Sequence, residues 1–120
     1  MLLNRILHLA PAGATIPKPA AAGNFRVKGL GKRRGEEALI YLIPNHSNPR
    51  KPREKGITAS EFERAYARLH SAGEFTKQWF KKHLPECDAE GSCNFTTVGG
   101  VFVLMGEAVY EARGKYRKAS

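Results

Sequence analysis

The side chains best placed to do chemistry are cations grouped beside glycine or proline. Lys32, Arg33 and Arg34 sit in "GLGKRRG", Arg50, Lys51 and Arg53 in "NPRKPREKG", Lys77, Lys81 and Lys82 in "TKQWFKKHL", and Arg113, Lys115, Arg117 and Lys118 in "ARGKYRKA". Such residues at turns suit contacts with phosphate oxygens, which release counterions and depend steeply on salt. The formal net charge is +9 and is uneven: residues 1–58 carry eleven Lys and Arg against three acids, residues 59–120 nine against eight. Nucleic acid is the partner class this charge favours, and a solvated basic surface is the plainer reading of the same residues.

Catalysis has less support. There is no Ser/His/Asp set, no paired carboxylates at useful spacing and no complete metal motif, so neither an enzyme nor a cofactor is expected. Cys87 and Cys93 in "HLPECDAEGSC" could join His83 as metal ligands, but a fourth would have to come from elsewhere, such as His70, and the spacing matches no standard zinc pattern. A reduced pair or a local disulfide fits them better, and no metal is expected. Asn45 and His46 lack the partners a nuclease site needs. The glycines around Lys32 evoke a phosphate loop, but no Gly-Lys-Ser/Thr follows them.

These side chains need elements to hold them. "MLLNRILHLAPAGATIPKPAAAGN" has no acids and is rich in Ala, Pro and Gly. It reads as a flexible arm over 1–23, with a targeting segment and a short docking helix over Leu2 to Leu9 as alternatives. Order is expected from Asn24, with strands at Phe25 to Lys28 and Ala38 to Ile43 around a basic connection, then an exposed basic linker from Asn45 to Gly56 whose prolines exclude helix. "ITASEFERAYARLHSAG" predicts a helix: Thr58 and Glu61 have capping-box spacing, Phe62, Ala65, Tyr66 and Leu69 share one face, and Gly73 ends it. A second helix starts at Thr76 and stops at Pro85. "CNFTTVGGVFVLMG" reads either as a hairpin about Gly99-Gly100 or as a helix capped by Thr96 or Thr97, with the helix favoured although two interior glycines oppose it. Its core members, with those of the other helices, are Phe62, Tyr66, Leu69, Trp79, Phe80, Leu84, Val101, Phe102 and Met105. A hairpin from Ala108 to Ala112 and Lys115 to Ala119, turning at Arg113-Gly114, closes the chain.

From Gly56 onward, "VGGVFVLMGEAVYEARGKYRKA" following two helices and the link "GEFT" resembles a winged-helix domain, a helix-turn-helix relative whose third helix precedes a β-hairpin wing. The resemblance implies an α+β fold: a winged-helix-like three-helix core over 56–120, preceded by a basic β-hairpin and linker over 24–55 and by the arm. It also implies that Arg113, Lys115, Arg117 and Lys118 of the wing, and Thr96 and Thr97 at the third helix, meet DNA backbone, with structured RNA second. The residues from Val98 to Met105 include no base-reading Arg, Asn, Gln or Lys, so the expected protein holds a duplex rather than reading it. The alternative is a protein-interaction adaptor on the same scaffold. No stretch approaches the length of apolar residues a membrane span needs, so a cytoplasmic protein with no membrane partner is expected.

Overall fold

A computed structural model describes residues 2–19 and 24–119. The elements run α1 (Leu2–Leu9), β1 (Thr15–Ile16), β2 (Phe25–Arg33), β3 (Glu36–Ile43), β4 (Arg53–Thr58), α2 (Ala59–Ala72), β5 (Glu74–Thr76), α3 (Lys77–His83), α4 (Pro85–Glu90), α5 (Asn94–Leu104), β6 (Ala108–Ala112) and β7 (Lys115–Lys118). The fold is mixed α+β, with two antiparallel sheets ordered β1-β2-β3-β4 and β5-β7-β6. No helix among the described residues is long and apolar enough to cross a membrane.

Local signals set α2. The Thr58 hydroxyl accepts from the Glu61 amide at 3.2 Å, the Glu61 carboxylate accepts from the Thr58 amide at 2.8 Å, and Gly73 leaves the helix at φ 76°. Phe62, Ala65 and Leu69 are fully buried, whereas Tyr66 is half-buried. Phe102 of α5 packs against both aromatic rings of α2, with ring centroids 6.3 Å from Phe62 and 5.8 Å from Tyr66. Of the remaining expected core, Phe80, Leu84 and Val101 are buried, and Trp79 and Met105 lie at its margin.

The segment 94–104 is a helix, and its glycine pair has a packing cause. A Cβ on Gly99 would lie 2.2 Å from the Tyr116 ring, and one on Gly100 would lie 2.4 Å from the Pro17 carbonyl oxygen. Each glycine costs roughly 1 kcal/mol of helix propensity relative to Ala, and each lets another element approach the helix axis. α5 is thereby enclosed: Phe95, Thr97, Val98, Val101 and Phe102 are buried, and only Leu104 is exposed.

Three expectations need correction. The flexible arm is instead built in: α1 buries Leu3 and Ile6 completely, Ala10 and Ile16 follow them into the core, and the Arg5 guanidinium donates to the Tyr66 hydroxyl at 3.2 Å. Its apolar residues are few, but their spacing puts Leu3, Ile6 and Ala10 on one side; residues 1 and 20–23 of that arm lie outside the described residues. The linker from Asn45 to Gly56 is only partly a loop, because Arg53–Thr58 pairs with β3 as strand β4. The expected boundary between 55 and 56 falls inside that strand, and one hydrophobic cluster takes residues from all three expected regions, including Leu3, Tyr41 and Phe102.

Candidate nucleic-acid interface

The β6–β7 hairpin is the local consequence of a tight turn. Ala112 pairs with Lys115 around Arg113-Gly114, Gly114 takes φ 76°, and an irregularity between Tyr110 and Ala112 sets Tyr110 opposite Tyr116. β7 also pairs with β5, which ends at the cap of α3: Thr76 accepts from the Trp79 amide at 3.2 Å and lies opposite Lys115. The Lys77 amide then donates to the Gly114 carbonyl at 2.9 Å, stitching the hairpin turn to the first residue of α3.

This stitch borders a cleft of about 710 Å³ between the β6–β7 hairpin, α3 and the start of α5. Lys77 and Arg113 supply its cations, Phe95, Tyr110 and Tyr116 its aromatic surface, and Ser92 and Thr96 its polar rim. Tyr116 is its floor: the ring is 1% exposed, the hydroxyl donates to the Thr96 carbonyl at 3.5 Å, and burial pushes its pKa up to about 12. Tyr110 is 40% exposed and meets the Tyr116 ring edge-on at 5.6 Å. The Lys77 ammonium donates to Asp88 at 2.9 Å and to the Ser92 carbonyl at 2.8 Å, which leaves one of its three N–H bonds for a ligand. Arg113 is exposed and makes no ion pair among the described residues.

The other expected contact residues separate by environment. Lys115 meets Glu111 at 2.9 Å and Glu74 at 3.5 Å, and Arg117 lies 3.9 Å from Glu111. These exposed pairs hold the Glu111 carboxyl below its ordinary pKa and the Lys115 ammonium above it. Lys118, Lys81, Lys32, Arg50, Lys51 and Arg53 are exposed without an ion pair among the described residues. They do not form one patch: the loop holding Arg50 and Lys51 and the turn after Lys32 are at opposite ends of β3, roughly 23 Å apart at strand rise.

Arg34 and Thr97 are drawn inward, and Arg33 is half-buried and paired. Arg34 grips both oxygens of Glu61, at 2.8 and 2.7 Å, reaches Glu90 at 3.1 Å and donates to the Gly56 carbonyl at 2.8 Å. Arg33 lies across Gly56 and meets Glu90 at 3.1 Å. Glu90 in turn accepts from Asn94, whose carbonyl oxygen takes a 2.5 Å bond from the buried Tyr41 hydroxyl. Burial opposes the Arg34 charge, but Glu61 and Glu90 outweigh it and raise its pKa; burial likewise opposes the charges of Glu61 and Glu90, whose hydrogen-bonding partners nonetheless pull both carboxyls below the ordinary value. Thr97 is fully buried with its hydroxyl unpartnered, and the half-buried Thr96 gives its hydroxyl proton to the Cys93 carbonyl at 2.9 Å.

Of the expected residues, the cleft therefore unites only Lys77, Thr96 and Arg113. Sequence reasoning missed Tyr110, because the strand irregularity that aims it at the cleft leaves no local mark; the pair of tyrosines flanking "EARGK" was the available signal. Cys87 is buried, with a thiol pKa raised by that burial, Cys93 is partly exposed, and both are free. No group of three or more His, Cys, Asp or Glu poised to hold a metal occurs among the described residues. No protein family, curated protein or solved structure matches the chain.

Proposed function

We propose that this is a small nucleic-acid-binding protein of winged-helix type, acting on DNA ahead of RNA, that holds backbone phosphates and reads few base edges. The observation that carries the reading is the wing stitched to α3, with Arg113 unpaired at its tip beside Lys77. The order α2, β5, α3, α5, β6, β7 and the sheet order β5-β7-β6 support the winged-helix comparison, with α4 as an additional turn of helix. Enclosure of α5 supports holding over reading, since its Asn94 and Thr97 are buried and its one partly exposed polar side chain, Thr96, already donates to the Cys93 carbonyl. The exposed, unpaired cations beyond the wing supply sequence-independent attraction.

Binding of a labelled random duplex across a salt series tests this. Affinity should fall steeply as salt rises, and replacing Arg113, Lys115 and Arg117 with Ala should weaken binding alike on every duplex sequence. The salt slope should drop by about one, the share of the unpaired Arg113, since Lys115 and Arg117 already face carboxylates. An unchanged affinity and slope would remove the wing from binding. A second reading, a protein adaptor, is favoured by the unpaired outer edge of β6, where Val109 and Tyr110 are 39% and 40% exposed. It would gain from absent duplex binding at any salt.

A further inference from the structure

Duplex backbone alone does not account for the shape of the cleft. A phosphate-holding surface needs cations, whereas this cleft is mostly apolar, is about 710 Å³ in volume, and leaves Tyr110 40% exposed at its edge. That volume is within the roughly 300–1,000 Å³ of small-molecule sites. Bases inside a duplex are stacked on one another and cannot present a face to a side chain; only an unpaired base can.

We propose that the cleft takes a single unpaired nucleotide of a bound strand, its base against Tyr110 and its phosphate between Arg113 and the remaining N–H of Lys77. The inference rests on the nucleic-acid reading above and names the part of the nucleic acid that the cleft receives. The geometry divides the work. Tyr110 projects from β6, braced edge-on by the buried Tyr116, so the ring is held in place before any ligand arrives. Lys77 is held by Asp88 and the Ser92 carbonyl beside the Phe80 and Phe95 rings, which leaves one further N–H and also puts one carboxylate near the phosphate position; Arg113, with no ion pair among the described residues, supplies the net positive charge. Stacking is tolerant of base identity because every base has a π face, which agrees with an α5 that reads no sequence. The preferred substrate is thus a junction: duplex for the basic surfaces, and a frayed end or short overhang for the cleft.

The test compares a blunt duplex with the same duplex carrying a short thymidine overhang, by fluorescence anisotropy at low salt, for the full chain and its Tyr110→Ala and Tyr110→Phe variants. The overhang should tighten binding by about 5- to 150-fold, the worth of one base stacked on one aromatic ring. Tyr110→Ala should erase that gain, so that blunt and overhanging duplex bind it alike, and Tyr110→Phe should keep it. The exposed position of Tyr110 lets both variants fold, which circular dichroism melting verifies. Equal affinity for blunt and overhanging duplex, or a gain that survives Tyr110→Ala, overturns the cleft assignment while leaving duplex binding intact. Failure of every probe to bind overturns the nucleic-acid reading itself, and the cleft assignment with it.

Discussion

The turn at Arg34-Gly35 and the turn at Arg113-Gly114 look alike in sequence: each is an Arg-Gly between β-strands, flanked by further cations. In the fold they do opposite things. The first is folded inward, where Arg34 sits at φ 49° and is locked by Glu61, Glu90 and the Gly56 carbonyl. The second faces outward, where Arg113 has no carboxylate partner among the described residues and its neighbours share the exposed Glu111. What separates them is the position of acids remote in sequence. Glu61 is presented by a capping box and Glu90 by the end of α4, and both converge on the first turn. A run of cations therefore names no partner until the acids that reach it are placed.

Replacing one arginine at a time should break the likeness most sharply. Arg34→Ala leaves Glu61, with a side chain only 10% exposed, without its cation, and should cost roughly 3 kcal/mol of stability. Ala keeps a Cβ, so the strain of the left-handed backbone persists and the loss reports the guanidinium. Arg113→Ala should change stability by less than about 0.5 kcal/mol. Chemical denaturation of the two variants checks both, and equal losses would erase the distinction.

Acid should act on the inward turn in a smaller, graded way. Glu61 and Glu90 have folded-state pKa values below the ordinary 4.5, so the stability they contribute is complete above 4.5 and is lost as pH falls through the depressed values. Denaturant midpoints should decline over that acid range, and Arg34→Ala should flatten the decline. A steeper acid dependence in Arg34→Ala than in the wild type would show that the pairing with Arg34 is not what depresses these carboxyls.

The two turn glycines should behave alike. Gly35 and Gly114 have φ of 77° and 76°, and an added Cβ would find open space at Gly35 and ordinary contact, 3.5 Å from the Lys77 Cβ, at Gly114. Each Gly→Ala change should cost about 1–2 kcal/mol through left-handed backbone strain alone. Matching losses in thermal unfolding would locate the difference between the turns in their side chains; a much larger loss at one would locate it in the backbone.

Elements with complete local signals were legible in the sequence. The cap and apolar face of α2, the stop at Pro85 and the Arg113-Gly114 hairpin depend on residues within a few positions of one another. The helix at 94–104 was harder, because Gly99 and Gly100 weaken the local signal in return for contacts with Tyr116 and Pro17, which sequence proximity does not reveal. β4 was hidden for a related reason: its polar residues Arg53, Glu54 and Lys55 suit a loop, and its strand character comes from pairing with β3. The candidate site was legible in part. Lys77, Thr96 and Arg113 were marked by charge and by position at element ends, whereas the inward role of Arg33 and Arg34 depends on Glu90, more than fifty residues away. Tyr110 depends on a shift in strand register.

The seat that Gly100 provides for Ile16 and Pro17 also sets a timetable for synthesis. Gly100 is made 84 residues after Ile16, an interval of roughly 4–17 s at ribosomal rates of 5–20 residues per second. Throughout that interval Ile16 has no seat to enter, since α5 does not yet exist. Ile16 is thus made early and buried late, and the nascent chain must carry it in water, or against a chaperone, until the helix that covers it emerges.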